Sequence, residues 1–301
     1  QFIAFSTAIK GLLAVPGIPR ALNEEKLADF LILNHNNHQT THYQDIYRLP
    51  PAHHLRCVQE VSKPVPQRYW NIDLNKRIHF DTDQQYVDAF NELFERCVAD
   101  NLRSLTPVGA FMSGGVDSAA VATTAARQLK QQDEQLHTYT SVPRAGFTGV
   151  APKGRYNDET PLVKAIAAMH DNLVTDFIDA EGETPLDNLD SYFDAHEEPF
   201  RNPCNRVWME AIIREGQSHN QRVMLTGQHG NMTLSWEGTW ALADWLRRGK
   251  WLRFYHGLNT LAGYREQSRL GYLKQAVATA LPDSVWFAYQ RIRRPGKRDP
   301  I

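Results

Sequence analysis

A glycine-rich loop, Ser113–Ser118, has the residue types and spacing that most clearly suggest chemistry. It reads SGGVDS, between the apolar run Val108–Met112 and an alanine-rich segment. Gly114 and Gly115 let the backbone bend sharply and approach a ligand closely. The amides of the loop would lie at a helix N-terminus, where unpaired N–H groups and the helix dipole attract anions. The loop therefore predicts a phosphate-binding site.

Asp117 limits which kind of phosphate-binding site the loop can form. A carboxylate there repels phosphate unless a divalent cation lies between them, and Mg²⁺ commonly bridges carboxylate and phosphate oxygens. No lysine follows the glycines and the GxGxxG spacing is missing, so neither a Walker loop nor a dinucleotide site fits. The alternative is a tight strand–helix turn in which the serines and the aspartate only cap the helix.

Strands and helices alternate around this loop. Apolar runs predict strands at residues 108–112, 137–142 and 222–226, and helical periodicity predicts helices at residues 86–102, 117–130, 160–170 and 205–214. This alternation predicts an α/β fold, a doubly wound parallel sheet with helices on both faces.

The N-terminal part indicates a small α+β region. Helices are expected at Thr7–Leu13 and Leu22–Leu33, a short strand at Phe2–Phe5, and extended segments around Pro50–Pro51. The C-terminal part, Trp236–Tyr289, is expected to be helical, with its tryptophans in packing.

Composition excludes several classes of protein. The chain has 301 residues and a net charge of −1, which argues against a nucleic-acid surface. It has no apolar run of membrane-spanning length, and because its first residues lack the charged and apolar regions of a signal peptide, none is expected. Three scattered cysteines favour neither disulfides nor zinc, so the cytoplasm is expected. A homodimer is compatible with the sequence. Because the chain starts at Gln1, we expect an excised piece of a longer protein.

The loop resembles the SGGxDS signature of the ATP pyrophosphatases, whose fold is adenine nucleotide alpha hydrolase-like, and among them the asparagine synthetases. FSTAIKGLLAVPGIP with LNEEKLADFLIL resembles the end of their glutaminase domain, and RLPPAHHLRC followed by YW its closing hairpin. The resemblance implies a glutaminase (class II amidotransferase) remnant at residues 1–78. It also implies a synthetase domain at residues 79–301, incomplete at its C-terminus.

The resemblance also implies a reaction. These enzymes activate a carboxylate with ATP as acyl-AMP, release pyrophosphate, and let an amine displace AMP. ATP and Mg²⁺ are thus the implied cofactors, with an aspartate-like carboxylate and ammonia from a glutaminase as partners. The implied nucleotide-binding residues are Met112, Ser113, Gly114, Gly115, Val116, Asp117, Ser118, Val142 and Gly227, with Mg²⁺ on Asp117 and Asn231.

The sequence departs from the family at its second motif. Where asparagine synthetases have SGEGADE, this chain has TGQHGNMT, which places Gln228 at the glutamate and Asn231 at the aspartate. Gln228 cannot act as a general base, because an amide takes up no proton near neutral pH. His229 is a candidate replacement, since its intrinsic pKa is near neutrality. The alternative is a loop histidine without a role.

Three interpretations of function stay open. The first is an asparagine synthase (glutamine-hydrolysing)-like ligase, with Asp117, Gln228 and His229 at the catalytic centre. The second is a lasso-peptide or β-lactam type macrolactam synthetase acting on a precursor peptide, which the neutral Gln228 and Asn231 make credible. The third is a catalytically degenerate ATP-binding protein.

Two acidic pairs allow further interpretations. Asp158 or Glu159 resembles an acidic family position and is expected to bind Mg²⁺, to orient substrate, or only to complement a helix dipole. Glu197–Glu198 would either reach an amino-acid-like substrate or lie in an exposed loop.

The family's N-terminal cysteine and its downstream lysine stretch, KxSMxxSxExRxPFLD, have no counterpart in this chain. We therefore expect no glutamine hydrolysis and an impaired second half-reaction from this chain.

Overall fold

The computed structural model describes residues 2–34, 37–58, 64–151, 156–236, 238–264, 268–282 and 284–285. The chain divides into two compact units that interleave along the sequence: residues 1–100, 141–150 and 178–219 in the first, and residues 101–140, 151–177 and 220–301 in the second. The domain boundary expected between residues 78 and 79 stays a prediction.

Helices and strands alternate along most of the described chain. The helices are α1 (Ile9–Leu13), α2 (Glu24–Leu31), α3 (Asp83–Asn101), α4 (Val116–Lys130), α5 (Thr160–Ala167), α6 (Leu189–His196), α7 (Pro203–Ser218), α8 (Thr239–Arg247), α9 (Trp251–Tyr264) and α10 (Arg269–Ala280). The strands are β1 (His53–His54), β2 (Gln67–Arg68), β3 (Val108–Phe111), β4 (Leu136–Ser141), β5 (Leu173–Ile178) and β6 (Val223–Leu225).

A four-stranded sheet has the strand order β5-β4-β3-β6. β3 pairs in parallel with both neighbours, and Ala110 is in register with Thr138 and Leu225. β4 and β5 are aligned with the same difference in residue number at both ends. The Leu136 amide donates to the Asn172 carbonyl, and the Val142 amide donates to the Ile178 carbonyl. This constant offset is that of a parallel pair. The predicted α/β fold with a parallel sheet flanked by helices is confirmed.

The strand order places two loops side by side. After β3 the chain continues to β4 and β5 on one side of β3 and later returns to β6 on the other. In such sheets, ligands bind outside the carboxyl ends of the strands, where the order reverses. Here that position lies between β3 and β6. Ser113–Ser118 follows β3, and the TGQHGNMT motif begins directly after β6.

The sheet and α4 bury small and apolar side chains together. Ala110, Leu136 and Tyr139 of the strands are fully buried, as are Ala122 and Ala125 of α4. Alanines on the buried face of α4 leave room for a close approach to β3. This packing fixes where α4 begins, and therefore where the loop before it ends.

The sequence predicted most of these elements to within a few residues, but it missed one strand, β5, and one helix, α6. Three of the four strands and the helices at α3, α4, α5 and α7 were expected. β5 was not, because its sequence, LVTDFI, interrupts the apolar run with Thr175 and Asp176. Side chains alternate across a strand, so a half-buried strand need not be apolar throughout.

The first unit contains the N-terminal helices and a hairpin. β1 and β2 pair antiparallel, consistent with the expected hairpin, although its glutaminase origin stays a prediction. The strand expected at Phe2–Phe5 is wrong: these residues form no regular structure, and the Phe5 side chain is 88% exposed. A strand needs a hydrogen-bonding neighbour, which the described fold does not give this segment.

Glu197 and Glu198 bind the N-terminal segment of the first unit. The Glu197 carboxylate accepts hydrogen bonds from the Ile9 and Lys10 amides at 2.6 and 2.8 Å, and Glu198 pairs with the Arg48 guanidinium. The interpretation as an exposed loop pair is therefore wrong. The two carboxylates tie distant parts of the chain together within this unit.

The C-terminal helices of the second unit pack against one another. Leu242 of α8, Phe254 of α9 and Tyr272 of α10 form their shared core, and Trp245 packs against it. The expectation that the tryptophans of this region are packed is wrong for Trp240 and Trp251, whose side chains are 67% and 64% exposed. Trp286, also assigned to packing, lies outside the described residues. None of the described helices has both the length and the hydrophobicity that a membrane span requires.

Candidate active site

The glycine-rich loop joins β3 to α4 as the sequence predicts. Gly115 is the N-cap of α4 with an extended backbone, and Val116 is the first helical residue. In the described structure no side chain caps this helix N-terminus. The first turn of a helix has N–H groups without intrahelical partners, and together with the dipole they suit an anion. Gly115 has no side chain that could cap α4, while the alternative of a tight turn held by its serines stays open.

The two serines of the loop hydrogen-bond to each other. The Ser113 and Ser118 hydroxyls lie 2.8 Å apart. The Ser118 hydroxyl also accepts from the Ser113 amide at 3.0 Å, and the Ser113 hydroxyl accepts from the Gly115 amide at 3.2 Å. Both side chains thus close the loop on itself. Their implied contacts with the nucleotide stay a prediction.

Glu159 accepts a hydrogen bond from the amide of Gly114, with 3.0 Å between Gly114 N and Glu159 Oε2. Glu159 precedes α5, and the two residues are 45 positions apart in sequence. Asp158 instead accepts from the Thr160 amide at 2.9 Å. Its hydrogen bond with the Thr160 side chain, and then the one with the Thr160 amide, lower the pKa of its exposed carboxyl group. Of the acidic pair, Glu159 contacts the loop and Asp158 caps the start of α5.

The loop after β6 packs directly on the first turn of α4. A Cβ atom on Gly227 would stand 2.5 Å from the Ser118 backbone nitrogen, far inside any real contact. A Cβ on Gly230 would stand 2.3 Å from the Asp117 Cγ. Glycine at both positions therefore lets the TGQHGNMT motif touch the SGGVDS loop. Sequence reasoning identified Gly227 but missed Gly230.

Asp117 receives a hydrogen bond that the sequence did not suggest. The Ser235 hydroxyl donates to Asp117 Oδ2 at 2.9 Å, across 118 positions of sequence. Ser235 is itself held in the turn, because its amide donates to the Gly230 carbonyl at 3.0 Å. This contact orients the carboxylate. An ionised carboxylate has further lone pairs, so Asp117 keeps the capacity to bind Mg²⁺.

The substituted motif residues lie exposed on the same loop. Gln228 and His229 precede a short 3-10 helix, Gly230–Met232, which contains Asn231. His229 has a φ of 65°, in the left-handed region. The family motif has glycine at this position, and left-handed backbone costs little for glycine. Asn231 follows Gly230 directly, which places its turn beside Asp117, while its role as a metal ligand stays a prediction.

The two residues expected to contact adenine follow β3 and β4. Met112 is buried, and its amide donates to the Tyr139 carbonyl at 3.0 Å. Its own carbonyl accepts from the Thr140 hydroxyl at 2.9 Å. Val142 follows β4 and is half-buried. The backbone of Met112 is thus fixed by the sheet, and the adenine contacts of both residues stay predictions.

Comparison with known proteins agrees with this architecture. Residues 89–294 match the family model described as asparagine synthase. The chain belongs to the asparagine synthase family.

Individual relatives match parts of the chain. The protein named asparagine synthetase (glutamine-hydrolyzing) 2 of Bacillus subtilis (strain 168) is 30% identical over 158 residues, which are 48% of this chain and 20% of that protein. A putative glutamine-hydrolyzing asparagine synthetase of Mycobacterium tuberculosis (strain ATCC 25618 / H37Rv) is 27% identical over 220 residues, 72% of this chain and 31% of that protein. The chain therefore spans less than a third of the length of either relative.

Among solved structures, the NH3-dependent NAD synthetase from Campylobacter jejuni is 22% identical and has a TM-score of 0.31. The match covers 52% of this chain and 61% of that chain.

Proposed function

We propose that this chain contributes the activating half of an ATP-dependent amide-forming ligase. The observation that carries the proposal is the uncapped N-terminus of α4 behind the SGGVDS loop, with Asp117 in its first turn. Backbone N–H groups there would hold the pyrophosphate portion of ATP. A substrate carboxylate would attack the α-phosphate, so that acyl-AMP forms and pyrophosphate leaves.

The residues around the loop have distinct tasks in this proposal. Asp117, oriented by Ser235, would hold Mg²⁺, which reduces the charge of the phosphates when it is bound. Met112 and Gly227 would line the nucleotide pocket. Because Gly227 permits contact with Ser118, the loop after β6 would close one side of that pocket.

The amine that displaces AMP is a separate question, and the TGQHGNMT loop bears on it. An asparagine-forming enzyme would use ammonia and an aspartate-like carboxylate. Between residues 226 and 236 the loop has no Asp or Glu, so a proton acceptor on this segment would have to be His229. Its exposed position on the loop beside Asp117 supports that assignment.

The neutral Gln228 and Asn231 favour a second candidate, a macrolactam-type synthetase that closes an amide within a peptide. There the amine and the carboxylate belong to one substrate. Binding the peptide then holds the amine near the acyl-AMP, which raises its effective concentration and lowers the demand on a protein base.

One experiment tests the proposal. ATP–pyrophosphate exchange is measured with Mg²⁺ across a panel that contains aspartate, other small carboxylates, and peptides with a carboxylate side chain. Exchange with aspartate supports the first candidate, and exchange only with a peptide supports the second. ATP binding without exchange on any substrate would contradict both and leave the degenerate ATP-binding protein.

A further inference from the structure

The Glu159 carboxylate hydrogen-bonds to the glycine-rich loop and not to its own helix. It occupies the N-cap position of α5, yet its side chain makes no capping hydrogen bond there within the described structure. Its Oε2 atom accepts from the Gly114 amide at 3.0 Å instead. An anionic acceptor strengthens a hydrogen bond to a backbone amide. Glu159 therefore fixes the orientation of the peptide plane that precedes Gly114.

A second contact from α5 fixes the same residue. A Cβ on Gly114 would stand 2.7 Å from Leu162 Cδ1 and 2.9 Å from Leu162 Cβ. The first turn of α5 thus contacts Gly114 at both its amide and its α-carbon. One helix end holds the loop from one side, while the Gly227 backbone bounds it from the other at Ser118.

The Glu159 contact limits which backbone amides of the loop can hydrogen-bond to a phosphate. The Gly114 amide points at a carboxylate, and a phosphate oxygen at that position would be repelled by the like charge. The donors that fit a pyrophosphate are then those at the start of α4, beginning at Val116. Gly115 links the two regions, and its amide is bound to the Ser113 hydroxyl at 3.2 Å.

We propose that Glu159 is a positioning residue. It holds the SGGVDS loop in the shape that presents the α4 N-terminus to pyrophosphate, and it contacts neither the phosphate nor Mg²⁺. This inference rests on the proposed function of the loop. It gives Glu159 a role different from the three expected for the acidic pair, namely metal binding, substrate orientation and complementing the helix dipole.

Glu159→Ala and Glu159→Gln test the role, because glutamine keeps an acceptor oxygen for Gly114 and removes only the charge. Asp158→Asn is the matched control, since Asp158 lies next to Glu159 and hydrogen-bonds to Thr160 at the start of α5. Inorganic pyrophosphate and ATP are titrated by calorimetry into each variant, at two Mg²⁺ concentrations. ATP–pyrophosphate exchange then gives KM and kcat for the same proteins.

A positioning role predicts a specific pattern. Glu159→Ala should weaken ATP binding and raise KM on the order of tenfold with little change in kcat, because loop shape serves ground state and transition state alike. Glu159→Gln should restore binding to within about threefold, in line with the loss of charge assistance alone. The Mg²⁺ requirement should be the same in all variants, and Asp158→Asn should match the unmodified chain.

Other outcomes would overturn the inference. If Glu159→Gln is as damaged as Glu159→Ala and both need more Mg²⁺, Glu159 is a metal ligand. If Glu159→Ala binds pyrophosphate more tightly, the carboxylate competes with the ligand for the Gly114 amide. Calorimetry separates these results from failure of the proposed function: an unmodified chain that binds neither ATP nor pyrophosphate refutes the loop assignment itself.

Discussion

The backbone of Gly227 lies so close to the backbone nitrogen of Ser118 that a Cβ atom on residue 227 would stand 2.5 Å from it. The same Cβ would stand 2.8 Å from the Asp117 carbonyl carbon. Both partners are backbone atoms, so no side-chain rotation relieves the clash. The loop after β6 and the first turn of α4 can meet only because residue 227 is glycine.

Gly227→Ala should therefore separate these segments. We expect the free energy of unfolding to fall by about 1–3 kcal/mol, the usual cost of forcing an extra carbon into a packed contact, and ATP–pyrophosphate exchange to fall with it. Urea titration measures the first and the exchange assay the second. Gly263→Ala in α9 is the control, since its added Cβ meets no atom within 4 Å. Equal stability of the two variants would contradict the packing argument.

Asp117→Asn should abolish Mg²⁺-dependent exchange while leaving the fold intact. The asparagine carbonyl oxygen can still accept from Ser235, so the local hydrogen bond is kept and only the charge is lost. Exchange is measured against Mg²⁺ concentration, and circular dichroism checks folding.

Ser235→Ala separates orientation from charge at the same carboxylate. It removes the hydrogen bond and leaves the charge, so we expect a partial loss of exchange, about tenfold or less, as for one ordinary hydrogen bond. Unchanged exchange in Asp117→Asn would refute the metal role. A loss in Ser235→Ala as deep as in Asp117→Asn would mean that orientation, and not charge, is the essential contribution.

His229 combines a candidate base with an unfavourable backbone conformation, and two substitutions separate these features. Both His229→Ala and His229→Gly remove the imidazole, so both should suppress amide formation more than adenylation. Only glycine accepts the φ of 65° without strain, so His229→Gly should be the more stable variant by about 1 kcal/mol. Product analysis and urea titration measure the two effects. Equal loss of both half-reactions would count against His229 as the base.

How far the site could be predicted depends on sequence distance. The SGGVDS loop, the strand before it and the helix after it are contiguous, and local patterns of glycine and apolar residues identified them. Ser235 and Glu159 reach Asp117 and Gly114 across 118 and 45 positions. No local pattern marks such a pair, because serine and glutamate are common on surfaces. Only the strand order, which places β6 beside β3, brings the first of these pairs together.

The same limit explains the errors elsewhere in the chain. Glu197 and Glu198 looked exposed because their partners, the amides at the start of α1 and Arg48, lie far away in sequence. The periodicity that predicts α3 places Phe90, Leu93 and Val98 on one apolar face. In the structure Val98 is buried, while Phe90 and Leu93 stay 44% and 50% exposed. Periodicity predicts that a helix has an apolar face. It does not say how much of that face another element covers.

A buried hydrogen bond beneath the site should set much of its rigidity. The Tyr139 hydroxyl, on the fully buried β4 side chain, donates to Gln221 Oε1 at 2.8 Å, just before β6. It ties the strand after α4 to the segment that leads into the Gly227 loop. Tyr139→Phe leaves the buried glutamine carbonyl without this donor, and we expect a loss of about 1–3 kcal/mol in the free energy of unfolding.

The matching change on the other side is Gln221→Leu, which removes the Gln221 acceptor of the tyrosine hydroxyl and should cost a similar amount. In the double variant both polar partners are gone, so the two losses should not add, and the coupling free energy should exceed about 0.5 kcal/mol. Urea titration of the four proteins completes the cycle. Strict additivity would show that the hydroxyl and the amide do not depend on each other, and the rigidity of the strand pair would then come from apolar packing alone.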